Sequence, residues 1–281
     1  METIEVFGLG VRTTIGITGE DPGTLADAVR HAWTRCLEPR GGERDGPAIV
    51  VGIDSSAAGP PEPAAAGRTG RDSRQVVDTD IARLMPRLTQ AVTTASITEQ
   101  SGSLLMIHAG AVTNPETRAT FAYAAPGGTG KTTLSTLLGR QWCYVTDETV
   151  AVTDDGGVIA YEKPLSTRMA ADVPKGAPRF KSELSPDDLR LRILPREGRI
   201  HLAGLALIVR DDHVRQPVVE ELDTLTAMVC LAPETSSLSR LPTPLTRLAD
   251  LLDSIAPVVR ITYAEAADIE PIISAVLRGD S

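Results

Sequence analysis

The run Ala125-Pro-Gly-Gly-Thr-Gly-Lys131-Thr132 sets three glycines, a lysine and a threonine at the spacing of a phosphate-binding loop. Lacking a Cβ, Gly127, Gly128 and Gly130 allow the main chain to curl until successive N–H groups converge on an anion. Lys131 adds a full positive charge and Thr132 a hydroxyl for Mg²⁺. The helix expected over 132–140 turns its positive end toward the same phosphates. Gly127, Gly128, Thr129, Gly130, Lys131, Thr132 and Thr133 are therefore the candidate nucleotide contacts. The usual pattern begins with glycine where this chain has Ala125, which suits the position if its φ is negative. An ordinary glycine-rich turn opening a helix is the bland alternative. The apolar run Phe121-Ala-Tyr-Ala124 ahead of the loop argues against it, because strand, turn and helix are the context the mechanism needs.

A nucleotide-using enzyme also needs an acidic centre, since lysine and magnesium neutralise phosphate charge without deprotonating a nucleophile. Asp147-Glu148 follows the apolar run 141–146, and a strand there would return both carboxylates to the loop's edge of the sheet. From position alone, an acidic turn after a strand remains the alternative. His108 closes the run 104–108, where an isolated histidine is more often packed or capping than catalytic. Lys163 and Arg168 read as surface cations able to reach phosphates or a phosphorylated product, although surface cations need no function. His31, His201 and His213 share no ligand spacing and are assigned nothing.

These groups must be positioned by an alternation of strands and helices. The pattern predicts strands over 3–7, 11–17 and 48–53, helices over 22–37 and 80–96, and a loop rich in Ala, Gly, Pro and Ser over 54–74. Beyond about residue 100 it predicts a strand pair over 104–112, a turn over 114–117 and the strand into the phosphate loop. A hairpin follows around Asp154-Asp-Gly-Gly157, then a buried strand over 203–209. Helices over 245–255 and 264–277 enclose a strand over 258–262. The expected organisation is a small N-terminal α/β domain, 1–100, and a nucleotide-binding core, 101–281.

The order His108-Ala-Gly-Ala-Val, the loop ending Gly130-Lys131-Thr132, Thr146-Asp147-Glu148 and Tyr161-Glu-Lys-Pro-Leu165 resembles the HPr serine kinase/phosphorylase family. It is most similar to the HPr-kinase-like peptide kinases of lasso-peptide clusters, over roughly residues 100 to 170. The resemblance implies an α/β fold with a mixed-sheet, phosphoenolpyruvate-carboxykinase-like P-loop core. It implies ATP and Mg²⁺ as cofactors, Asp147 as general base, Glu148 as a metal ligand beside Thr132, and His108 supporting the aspartate or the phosphate. Lys131 would serve the transfer itself, and Lys163 and Arg168 the acceptor. Where the family usually carries two aspartates, this chain has Asp147-Glu148, and its first hundred residues do not match the family's regulatory domain. Neither the reverse, phosphorylase reaction nor HPr as substrate is carried over.

Composition bounds these expectations. The 281 residues are 42% hydrophobic but only 3% aromatic, so the core must be built mainly from Ala, Val, Leu and Ile. A net charge of −9 argues against nucleic acid or an anionic membrane as partner. Cys36, Cys143 and Cys230 have no metal or disulfide spacing. No signal-like or membrane-spanning run stands out, and a cytoplasmic location is expected. The leading expectation is an ATP-dependent kinase acting on a hydroxyl of a peptide or protein, or of a small metabolite. A nucleotide-dependent switch or ATPase without an acceptor is the alternative, and a homo-oligomer is left open.

Overall fold

A computed structural model describes residues 1–39, 44–54, 74–168, 181–195, 197–255 and 258–279. They divide into two units, Met1–Glu99 with Glu162–Asp188, and Gln100–Tyr161 with Leu189–Ser281. The stretch 162–188, expected with the nucleotide-binding core, thus groups with the N-terminal segment. Of the loop expected over 54–74, residues 55–73 lie outside the described residues.

The first unit is a four-stranded sheet of β1 (Glu2–Gly8), β2 (Val11–Gly19), β3 (Arg44–Ile53) and β4 (Arg74–Asp78), in that order. β1 and β2 form a hairpin because Leu9 and Gly10 both adopt positive φ, 53° and 71°, as a two-residue turn requires. The remaining pairs are parallel. Helix α1 (Pro22–Ala32) starts at Asp21, whose carboxylate accepts from the Thr24 N–H at 3.2 Å. It is shorter than the expected 22–37, because the chain tightens into a 3₁₀ turn at Thr34–Cys36. Helix α2 (Ile81–Glu99) buries Leu84, Leu88 and Val92 at helical spacing. A short antiparallel pair, Leu165–Arg168 with Lys181–Leu184, completes the unit, and Thr89 on α2 donates to Glu183 at 3.0 Å.

The second unit is a mixed eleven-stranded sheet. It opens with β5 (Leu105–Ile107), β6 (Ala109–Thr113) and β7 (Ala119–Ala124), then helix α3 (Lys131–Leu138), β8 (Cys143–Thr146), β9 (Val150–Val152) and β10 (Gly157–Ile159). β6 lies between β7 and β8, antiparallel to both. On its other side β7 pairs in parallel with the long strand Ile200–Arg210, which pairs in parallel with Val258–Tyr263. The expected fold class, α/β with a mixed sheet, is what this unit has. β5 pairs with β9 at the far end of the strand order, yet only His108 separates it from β6, so the sheet curls back on itself there.

Small residues let helices cover both faces. Val112, Phe121, Tyr123 and Ala125 point toward α3 and the C-terminal helix Ala266–Arg278, whose Ile269, Ile273 and Leu277 join that cluster. Ala109, Ala111, Ala122 and Ala124 point the other way, toward Leu248, Leu251 and Leu252 of helix Pro244–Ser254. This alternation is the period of two of strands covered on both faces. Gly110 is required: a Cβ there would meet the Tyr123 ring at 2.2 Å. Aromatic residues are few, but all four tyrosines, Tyr123, Tyr144, Tyr161 and Tyr263, are buried. None of the three cysteines forms a disulfide. Among the described residues, no helix is long and apolar enough to cross a membrane.

Candidate functional site

Strand direction explains why distant residues meet. β7 and β8 both run antiparallel to β6, so their C-terminal ends and the start of β6 share one edge of the sheet. The phosphate loop leaves β7 at that edge, Asp147 leaves β8, and His108 precedes β6. The parallel strands Ile200–Arg210 and Val258–Tyr263 end at the same edge, on the loop's other side.

The loop has the geometry its glycines permit. Gly128 and Gly130 have φ of 86° and 107°, a region costly for any residue with a side chain, and a Cβ at Gly127 or Gly128 would meet nothing within 4 Å. The cradle faces open space, as a loop that takes a phosphate must. Ala125 is absent from the positive-φ residues, and its methyl packs into the core beside Leu134. Alanine therefore costs nothing where the usual pattern has glycine. The Thr129 hydroxyl donates to the Pro126 carbonyl at 2.8 Å, closing the turn.

Lys131 opens α3 and is only 7% exposed. Its ammonium donates to the Ala125 carbonyl and, at 3.3 Å, to that of Pro126, so it lies along the inner rim of the loop. Burial pulls its pKa below the ordinary lysine value, against the opposing charges of Glu234, Asp147 and Glu148.

Asp147 is 5% exposed and held at both oxygens. Thr132 Oγ1 donates to Oδ2 at 2.8 Å and the Tyr144 hydroxyl to Oδ1 at 3.2 Å. The turn presenting it is set by Thr146, whose hydroxyl accepts from the N–H groups of Glu148 and Thr149 at 3.2 and 3.3 Å. Thr132 and Glu148, on either side of Asp147, carry hard oxygen donors of the kind Mg²⁺ prefers, so the donor chemistry beside the loop fits that ion.

His108 sits at the break between β5 and β6, its N–H bonded to the Glu234 carbonyl at 2.6 Å. Its Nδ1 lies 3.1 Å from the Glu148 carbonyl, which can only accept, so Nδ1 carries the hydrogen and the neutral ring leaves Nε2 as an acceptor. Burial first, and Lys131 second, lower its pKa from the ordinary value, with Glu148 and Glu234 opposing.

Of the residues singled out in the sequence, the structure gathers His108, residues 127–133, Asp147 and Glu148 in one unit. Lys163 and Arg168 belong to the other. Lys163 is no surface cation: it is 1% exposed and its ammonium donates to the Pro164 carbonyl at 3.0 Å. An ammonium withdrawn this far from water requires such acceptors. The Arg168 backbone pairs with Lys181 at the end of its strand.

Several neighbours of the loop went unread in the sequence. Tyr144 and Glu234 are two of them. The Tyr263 hydroxyl donates to the Thr129 carbonyl at 3.1 Å, and burial raises its pKa so that the donor is retained. A cavity of about 620 Å³ opens beside loop residues 126–129, walled by Ile208, Val209, Arg210 and Asp212. The available signal was that buried strands parallel to the loop strand end at its edge.

No family model matches the chain, and no curated protein matches it in sequence. Among solved structures it is similar to the HPr(Ser) kinase/phosphatase from Coxiella burnetii, over 62% of this chain and 89% of that one, at 12% identity and a TM-score of 0.31. A likeness at that level carries no argument about chemistry, which has to come from the site itself.

Proposed function

We propose that this protein is an ATP- and Mg²⁺-dependent phosphotransferase that delivers the γ-phosphoryl group to a hydroxyl, such as a serine of a peptide or protein. The observation that carries this reading is the 2.8 Å hydrogen bond from Thr132 to Asp147, which joins the phosphate loop to a buried carboxylate beside Lys131. Bound Mg²⁺·ATP would supply the phosphoryl group and spread its charge. The chain's own groups do the rest. Backbone N–H groups of 127–132 and the Lys131 ammonium hold phosphate oxygens, and Thr132 and Glu148 place the ion. Asp147, oriented by Tyr144, accepts the hydroxyl proton as the O–P bond to the acceptor forms and the bond from the γ-phosphorus to the β–γ bridging oxygen breaks, ADP leaving. Neutral His108 fixes the Glu148 backbone through Nδ1 and presents Nε2 as an acceptor.

Hydrolysis by a nucleotide switch would use the same loop, so the acceptor decides between the readings. The ordered carboxylate beside the loop can serve as base for an acceptor hydroxyl or for water, so turnover measured with and without an acceptor separates the two readings. A small-metabolite acceptor would fit the same chemistry. The test is Mg²⁺·ATP binding by calorimetry together with turnover on a library of hydroxyl-bearing peptides and metabolites. Wild type is expected to bind and transfer, and Lys131→Ala to lose turnover. Undiminished turnover in that variant would defeat the assignment.

A further inference from the structure

We propose that the cavity beside residues 126–129 receives the nucleoside end of the nucleotide, with ribose and base donors meeting Asp212 and the base lying on Val209 and Pro126. The inference rests on the reading of the loop as a phosphate site and assigns the part of the ligand which that reading leaves without a place.

Three observations favour a nucleoside over a phosphate or the phosphoryl acceptor. First, the volume of about 620 Å³ falls within the range of roughly 300–1,000 Å³ typical of small-molecule sites. Second, the cavity's charge does not suit an anion. Arg210 is its cation, but Arg210 donates to Asp212 at 3.1 Å and pairs with Glu265 at 3.5 Å. Arg210 and Asp212 are the charged side chains lining the cavity and neutralise each other, and Glu265 engages Arg210 from outside it, so no spare positive side chain faces a further phosphate there. What remains for a ligand is a carboxylate that accepts hydrogen bonds, the Asp212 side chain being 76% exposed, and the apolar surface of Val209, 43% exposed. Ribose hydroxyls and a base amino group are donors attached to flat or weakly polar rings, which matches that offer.

Third, the cavity lies on the wrong side of the loop for an acceptor. His108 and Asp147 reach the loop through β6 and β8, on one side of β7. Val209, Arg210 and Asp212 come from the Ile200–Arg210 strand and the turn after it, on the other. A ligand laid across the loop would have its reacting phosphate toward Asp147 and its nucleoside toward Asp212.

The experiment compares Mg²⁺·ATP with Mg²⁺·tripolyphosphate, which carries the phosphates without the nucleoside, on the full chain. Wild type is expected to bind both, ATP more tightly. Asp212→Ala and Val209→Ser should each weaken ATP about five- to tenfold and leave tripolyphosphate unchanged, the scale of one lost charged hydrogen bond or a small apolar contact discounted for exposure. Unchanged thermal unfolding of both variants shows that folding is intact. If wild type binds both ligands but neither variant discriminates between them, the nucleoside assignment falls while the phosphate loop stands. If wild type binds neither, the phosphate loop reading falls and takes this inference with it.

Discussion

On the β6–β8 side of the phosphate loop Lys131 and Asp147 are buried and already hydrogen-bonded, whereas Arg210 and Asp212, at the end of the Ile200–Arg210 strand, stand in water. Lys131 and Asp147 are 7% and 5% exposed, while the side chains of Arg210 and Asp212 are 49% and 76% exposed. Electrostatic interactions gain strength where water is excluded, and groups held before the substrate arrives need no reorganisation during the reaction. Exposed charges are screened and mobile, which suits weak, selective contacts to a ligand that must leave. We therefore assign chemistry to the first flank and nucleotide selection to the second. Variants on the two flanks should then fail in different ways.

The largest difference is expected at Asp147. Asp147→Asn keeps the volume, and its one amide oxygen can accept from Thr132 or Tyr144 while its NH₂ faces the other hydroxyl, which must turn to accept, but the amide cannot take up the proton of an incoming hydroxyl. Phosphoryl transfer should fall about 10²-fold or more, with ATP affinity kept within several-fold. Calorimetry beside a transfer assay reads both quantities. Loss of binding together with activity would make Asp147 a metal-holding residue and move the base elsewhere, a result the bond to Thr132 makes worth seeking.

Tyr263 tests the opposite flank. Tyr263→Phe removes one neutral hydrogen bond, to the Thr129 carbonyl, and leaves the ring in the core. Nucleotide affinity should weaken roughly three- to tenfold, with the rate of transfer at saturation nearly unchanged. A fall in that rate at unchanged affinity would show that the loop's outer wall governs chemistry too, and the contrast between the flanks would dissolve.

How much of this the sequence could show depends on distance along the chain. The loop, Asp147 and Glu148 were legible because strand, turn, helix and returning strand form one local unit, and local spacing carries local geometry. Tyr263, Arg210 and Glu234 reach the same edge only because particular strands pair in particular directions, and pairing is not written in hydrophobic periodicity. The two-residue strand Thr235–Ser236 that brings Glu234 to His108 is too short to leave any pattern. Helix Thr224–Leu231 was also missed. It leaves Leu225 and Val229 exposed and buries only Ala227 and Leu231, so its apolar residues do not fall into a clean stripe. Lys163 was misread for the converse reason: charge alone suggests a surface, and although its acceptor is the carbonyl of the adjacent Pro164, only the fold decides that the pair is buried.

The smallest expected effect, at His108, asks whether the reaction flank is as dry as its geometry implies. Burial and the Lys131 charge hold the His108 pKa below its ordinary value of 6.5. The unfolded chain therefore takes up a proton at a pH where the folded chain still resists, and stability must fall as pH drops from about 6.5 toward the folded-state value. Below that value the loss from this residue is complete and the curve should flatten. His108→Gln can keep a donor for the Glu148 carbonyl but does not titrate. Denaturant unfolding of both proteins between pH 7.5 and pH 5, roughly the range in which histidine changes charge, isolates the term as the difference between the two curves. Wild type should lose more stability than the variant on acidification. Parallel curves would mean that water reaches His108 as readily as it reaches Asp212, and the division between a dry reacting flank and a wet selecting one would have to be given up.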